Sequence, residues 1–222
     1  MTLIKNITKR QWILMAYLPI HFIWYFILEK VNVTDYAVVH CALDDVIPFC
    51  EWFIFPYLSW FLYMIIPGFY FLAKDPEAFE KYLLSLFIGF FLSTTIISIW
   101  PTGQELRPDI TGEGNIAMWM VNFIYNFDTN TNVFPSMHVV GAVAAAFGIA
   151  KSKSLGGKKL LQVFNWVLCA AIIMATVFLK QHSALDILGA LIVEIPVLIL
   201  VYKGVPSRWL DRLIKTKPVT EE

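Results

Sequence analysis

Charged side chains are scarce in this sequence. Asp, Glu, Lys and Arg make up 15% of the 222 residues, against about 25% in soluble globular domains. Hydrophobic residues instead make up 58% and the mean hydropathy is +0.65. These values exclude a soluble globular domain and predict a membrane protein. The net charge of zero says nothing about partners, because the charges are distributed unevenly along the chain.

Cysteine is also rare, which excludes a disulfide framework and a cysteine-rich metal site. The three cysteines, Cys41, Cys50 and Cys169, have neither metal-ligand spacing nor an even number. Cys41 and Cys50 could pair in an oxidising compartment, but we expect free thiols. The chain also lacks internal repeats and low-complexity tracts. We therefore expect one membrane-embedded domain over residues 1–222, with a motif-bearing core at about 82–202.

Apolar segments of the length that crosses a bilayer, about 20 residues, dominate what is present. Six such segments lie at 11–29, 52–73, 82–101, 136–150, 161–179 and 183–202. The first follows Lys5, Lys9 and Arg10, and no small-residue cleavage site comes after it, so we interpret it as a retained helix. The sequence predicts an all-α polytopic bundle of six transmembrane helices, with 102–135 as its longest loop.

Positive charge is concentrated on one side of these segments. With the N-terminus in the cytoplasm, all of the 17 Lys and Arg residues except Lys30, Arg107 and Lys180 lie on the cytoplasmic side. Loops rich in Lys and Arg stay in the cytoplasm. We therefore expect both termini inside and a multi-pass protein of the cell membrane.

This topology brings three distant stretches to the extracytoplasmic end of the bundle. Arg107 follows the third segment, residues 136–138 open the fourth, and residues 180–186 join the fifth to the sixth. Two of the three outward-facing cations would then meet two histidines and an aspartate. A functional site explains this convergence better than chance does.

His182 and Asp186 are four residues apart and would share one face of a helix. Asp186 could then accept the Nδ1–H of His182, fix its tautomer and leave Nε2 free for attack or proton transfer. Taken alone, such a pair is also compatible with a satisfied structural contact.

The start of the fourth segment could bind a phosphate. Pro135-Ser136 is typical of a helix start, and the free amides of a helix N-terminus bind phosphate, although the pair also suits an ordinary helix cap. His138 in the first turn could give a proton to a leaving oxygen. Arg107 would supply a planar fork for phosphate oxygens and Lys180 a point charge.

These motifs resemble those of a known family. Phe134–His138 (FPSMH) and Lys180–Asp186 (KQHSALD) look like the second and third motifs of the type 2 phosphatidic acid phosphatase superfamily, and Arg107-Pro108 looks like the end of the first motif. The resemblance runs from about Trp100 to Gly189 and is closest to the branch of inositolphosphorylceramide synthase and its bacterial relatives. Asp44–Phe49 (DDVIPF) also looks like bacterial members of that branch.

The resemblance implies residue roles. His182 would be the nucleophile that forms a phosphohistidine, Asp186 would orient it, and His138 would be the general acid for the leaving group. The phosphate would be held by Arg107 and by the backbone amides of Ser136 and Met137. The resemblance implies no cofactor and no metal.

The sequence departs from the family pattern at three positions. Trp100 stands where the first motif usually has a lysine, Thr176 where the third usually has an arginine, and Met137 where the second usually has a glycine. The phosphate clamp would have fewer cations than usual, and we expect Lys180 to substitute for one of them. These departures leave open whether water or another alcohol accepts the phosphoryl group.

The leading hypothesis is a metal-independent membrane phosphatase, in a bacterium, that hydrolyses a lipid phosphate ester of the phosphatidic acid or prenyl phosphate type. Its partners would be that substrate and membrane lipids, with no nucleic acid. Three alternatives stay open: a phosphotransferase that moves a phospho-head group to an alcohol, a metal site built from His138, His182 and Asp186, and a non-enzymatic transporter.

Overall fold

The computed structural model describes residues 7–31, 34–110, 114–206 and 208. Its elements in chain order are α1 (Lys9–Val31), β1 (Ala37–Val38), α2 (Ala42–Val46), a 3₁₀ turn (Glu51–Phe53), α3 (Ile54–Lys74), α4 (Pro76–Ile99), β2 (Thr102–Gly103), α5 (Ile116–Phe127), α6 (Met137–Lys151), α7 (Lys159–Phe178) and α8 (Ala184–Tyr202).

Long apolar helices form the bundle, which confirms the all-α membrane fold. Within the described residues, α1, α3, α4, α7 and α8 are long and apolar enough to cross a membrane. The predicted fourth span is α6, which has only 15 residues and is too short to count among them. The number of spans and the side of the termini therefore stay predictions.

Helix α6 lies at the centre of the bundle and contacts α3, α4, α7 and α8. Small residues allow this, because Val139–Ala146 is rich in Ala and Gly and is buried throughout. A Cβ atom at Gly141 would lie 2.5 Å from the sulfur of Met64 and 3.0 Å from the indole of Trp60. Gly141 therefore lets α6 approach α3 closely, one turn below His138.

A very short parallel sheet joins the loops at one end of the bundle, which we call the site end. Ala37 pairs with Thr102 and Val38 with Gly103, and an isolated antiparallel bridge links Gly103 to Thr131. The segment after α1 and both arms of the loop around α5 are thereby fixed to one another.

Helix α5 was not predicted, since residues 102–135 were interpreted as a loop. Asn115 precedes it as the N-cap and accepts the Met118 amide with its side chain. Its outer face carries four exposed apolar side chains: Ile116, Trp119, Phe123 and Phe127. Their spacing of three or four residues is helical, and this periodicity is the sequence signal that could have revealed α5.

Candidate active site

The junction of α7 and α8 positions His182 and Asp186. The Gln181 and His182 amides both donate to the Thr176 carbonyl at 3.0 Å, and Lys180 has a left-handed backbone (φ 52°) that reverses the chain. Ser183 then caps α8, whose first turn contains Asp186. The carboxylate of Asp186 faces back toward the preceding histidine as a result.

The His182–Asp186 contact has the geometry predicted from the sequence. His182 Nδ1 lies 3.1 Å from Asp186 Oδ2, which also accepts the Ser183 amide at 2.9 Å. Asp186 is completely buried. Because a carboxylate only accepts, Nδ1 carries the proton and Nε2 keeps its lone pair. The arrangement leaves His182 able to act as a nucleophile.

Helix α6 brings its first turn to the same place. The Ser136 amide donates to the Asp186 carbonyl at 3.2 Å, and the Ser136 hydroxyl accepts the Val139 amide at 3.4 Å. His138 follows, with its ring centroid 5.7 Å from that of His182. The amides of Met137 and His138 are the first-turn donors left for a ligand, since Ser136 already has an acceptor.

Two aromatic rings of α3 fix the position of His138. Tyr57 stacks on the imidazole with centroids 4.5 Å apart and an interplanar angle of 29°, and Trp60 packs against it at the same distance. An imidazole held by two rings keeps one orientation toward His182. The sequence analysis missed both aromatic residues, because nothing local relates α3 to α6.

Arg107 lies beside the site, but its guanidinium is largely occupied. It donates to the carbonyls of Tyr125, Asp128 and Thr129 at the end of α5. It also donates to the Gln181 side-chain oxygen. Nε is its only buried donor without a partner in the described part of the chain. Burial lowers the pKa of Arg107, and the charge of Asp128 opposes this shift.

Lys180 points toward α2. Its ammonium donates to the Asp44 carbonyl at 2.7 Å and to the Ile47 carbonyl at 2.6 Å. Two of the three N–H groups of the ammonium are thus already used. The predicted role of Lys180, to replace a missing arginine of the phosphate clamp, therefore depends on the third N–H group. That role stays a prediction.

Two carboxylates near Arg107 were not singled out by the sequence analysis. Glu29 of α1 accepts the Thr129 hydroxyl at 2.7 Å and the Asn132 side-chain amide at 2.6 Å. Burial, followed by the nearby charge of Glu29, raises the pKa of Asp128 to about 6, against the influence of Arg107 and His182. Two carboxylates therefore lie close enough to Arg107 to influence it electrostatically, and His182 also acts on Asp128.

Metal-binding geometry is not found in the part of the chain that the structure describes. No three His, Cys, Asp or Glu side chains there are arranged to hold a metal ion. The alternative with His138, His182 and Asp186 as ligands gains no support from this arrangement, in which Asp186 Oδ2 already bonds His182. The three cysteines are free thiols.

An apolar groove of about 230 Å³ lies between α3 and α5. It is lined by Leu58, Trp119, Met120, Phe123 and Ile124. The neighbouring residue of Leu58 on α3 is Tyr57, which stacks on His138. The groove and the candidate active site therefore both use residues from the same turn of α3.

The sequence matches the model of a known protein family. The family model described as the PAP2 superfamily matches residues 81–210, which is more than half of the chain. The matched range contains Arg107, His138, His182 and Asp186. No curated protein and no solved structure matches the chain significantly.

Proposed function

The chain belongs to the PAP2 superfamily, and on that basis we propose that it is a phosphatase acting on a lipid phosphate ester through a phosphohistidine. We further propose a substrate of the phosphatidic acid or prenyl phosphate type. The observation that carries the proposal is the His182–Asp186 pair, in which His182 Nδ1 lies 3.1 Å from the Asp186 carboxylate. The imidazole of His138 lies beside His182.

The first step forms a bond between His182 Nε2 and phosphorus. The bond from phosphorus to the ester oxygen breaks, and His138 gives that oxygen a proton, so the alcohol leaves neutral. Asp186 stabilises the positive charge that develops on His182, which it contacts directly. The product of the step is a phosphohistidine at His182.

The second step regenerates the enzyme. His138, now neutral, takes a proton from water, and the water oxygen attacks phosphorus while the bond to Nε2 breaks. Inorganic phosphate leaves and both histidines return to their first states. An alcohol in place of water would give the phosphotransferase alternative from the same intermediate.

The developing negative charge on the phosphoryl oxygens needs donors. The N-terminus of α6 supplies the amides of Met137 and His138 together with the positive end of the helix dipole. Ser136 supports this turn through its bond to the Asp186 carbonyl. Arg107 contributes its charge and its Nε–H. Lys180, at the chain reversal before His182, contributes a second positive charge.

The substrate would reach the site from the membrane. The groove between α3 and α5 is entirely apolar, and the exposed face of α5 suits the boundary between headgroups and acyl chains. The distribution of Lys and Arg supports an extracytoplasmic site in a cell membrane. We also propose that the whole chain forms one domain around the matched core.

The test is a product assay on purified protein with phosphatidic acid, a prenyl pyrophosphate and a phospholipid donor, with and without vanadate. We expect vanadate-sensitive release of inorganic phosphate without any acceptor lipid. Turnover only when an alcohol acceptor is added would favour the transferase. Flux of substrate across vesicles that persists in His182→Ala would favour the transporter.

His40→Ala is the matched control for His182→Ala. His40 is exposed and binds Asp45 at 2.8 Å, so its removal deletes an imidazole with an acidic partner outside the site. We expect wild-type release from His40→Ala and none from His182→Ala.

A further inference from the structure

We propose that Asp44 is a positioning residue for His182. Its carboxylate holds the junction of α7 and α8 in the place that attack on phosphorus requires. The inference rests on the proposed function, because it gives Asp44 a part in that same reaction.

The Asp44 carboxylate binds the residues that directly follow His182. Asp44 Oδ2 accepts the Ser183 hydroxyl at 2.5 Å, and Oδ1 accepts the Ala184 amide at 2.8 Å. Asp44 Oδ2 also accepts the Cys41 amide at 2.9 Å, which fixes the carboxylate on α2. Asp44 is only 3% exposed, so its carboxylate is buried against the junction.

The backbone of α2 binds the other side of His182. Lys180 donates to the Asp44 and Ile47 carbonyls at 2.7 and 2.6 Å. Four hydrogen bonds thus hold the junction to α2 and to Ile47 at its end, both before and after the histidine. Lys180 has a left-handed backbone that is costly without glycine, and these bonds support the reversal together with those to the Thr176 carbonyl.

The charge of Asp44 suits this position. Burial raises the pKa of Asp44, but hydrogen bonds from Ser183 and from the Ala184 and Cys41 amides outweigh burial and leave the pKa below its ordinary value. The carboxylate is therefore ionised at neutral pH, beside the positive N-terminal end of α8. A charged acceptor makes stronger hydrogen bonds than a neutral one.

Helix α2 contributes little to the hydrophobic core of the bundle. Its apolar side chains Leu43 and Val46 are 54% and 72% exposed, so the helix adds little to the core. The main contacts that Asp44 makes outside α2 are those to the junction. Loss of the carboxylate should accordingly disturb His182 more than it disturbs the bundle.

Asp45 provides a matched control. It stands next to Asp44 on the same short helix, but its side chain is 64% exposed and binds His40. Asp45→Asn and Asp44→Asn remove the same charge from adjacent positions, and only the second touches the junction.

The experiment compares wild type, Asp44→Asn and Asp45→Asn for phosphate release and for the rate at which His182 is phosphorylated in a rapid quench. Misplacement of a reacting group by about 1 Å can cost about 100-fold in rate. We expect kcat of Asp44→Asn to fall by about 10- to 100-fold with KM within about twofold, and His182 phosphorylation to slow in parallel. Asp45→Asn should match wild type.

Wild-type kcat in folded Asp44→Asn overturns the inference, as does a loss confined to KM. If Asp44→Asn does not fold, Ser183→Ala removes one of the same bonds from α8 and must show the same kcat-specific loss; an unchanged kcat there also overturns the inference. Wild-type protein that neither releases phosphate nor forms phosphohistidine at His182 would instead overturn the proposed function itself, and the inference with it.

Discussion

Gly189 lies on the face of α8 against which the ring of Phe134 packs. A Cβ atom at this position would lie 2.4 Å from Phe134 Cε2 and 2.5 Å from Cζ. Carbon atoms in contact need about 3.5 Å or more, so Gly189→Ala requires a displacement of about 1 Å. Phe134 must move away from α8, or α8 must move away from Phe134.

Neighbouring contacts of Phe134 oppose a movement of its ring. Trp100 packs against Phe134 with centroids 5.5 Å apart, and the Phe134 amide donates to the Thr102 hydroxyl at 3.0 Å. Phe134 continues directly into Pro135 and the first turn of α6. We therefore expect part of the shift to pass through Pro135 to the first turn of α6 and to change the distance between His138 and His182.

We expect Gly189→Ala to lower kcat by about 100-fold, since about 1 Å of misplacement has that cost. Overpacking should also lower the free energy of unfolding by about 1–3 kcal/mol. The assays are phosphate release and thermal unfolding in detergent. Gly157→Ala is the control, because a Cβ atom at Gly157 meets no heavy atom within 4 Å. A folded Gly189→Ala protein with wild-type kcat would refute this account of how the two histidines are positioned.

Two further predictions concern charge and substrate. Asp128→Asn should raise the free energy of unfolding at pH 7 by about 1–3 kcal/mol and leave it unchanged near pH 4. The reason is that folding raises the pKa of Asp128 to about 6. The ionised carboxylate therefore destabilises the folded state only as the pH rises from about 4 to 6. Exposed Asp109→Asn is its control, and an equal gain at both pH values would contradict the stated cause. Leu58→Trp narrows the groove between α3 and α5 and should lower kcat/KM about tenfold for long-chain lipid phosphates only. Val163→Trp on the exposed face of α7 is the control and should leave kcat/KM unchanged. If Leu58→Trp lowers kcat/KM equally for a short-chain soluble ester, the groove does not bind the lipid chain.

The spans could be predicted because hydrophobic length is a local property. The predicted segment 161–179 corresponds to Lys159–Phe178, and 183–202 corresponds to Ala184–Tyr202. Helix α5 was missed because it has 12 residues, too few to cross a bilayer, and it stands in a loop rich in Gly and Asn. Only its helical periodicity marks it.

The contacts around the site could be predicted only in part. The His182–Asp186 contact depends on two residues four apart on one helix, which sequence spacing captures. The partners of Arg107 and Lys180 are carbonyl groups on α5 and α2, and backbone acceptors leave no trace in residue type. The burial of Asp44 likewise follows from how α2 packs on the α7–α8 junction.

The most direct test of the central claim is to trap the intermediate. Purified protein is quenched in alkali during turnover of a ³²P-labelled lipid phosphate, and the label is located by peptide mass spectrometry. We expect acid-labile, alkali-stable label on His182 in wild type and in His40→Ala, and none in His182→Ala. Label on another residue, or full turnover by His182→Ala, would contradict the mechanism.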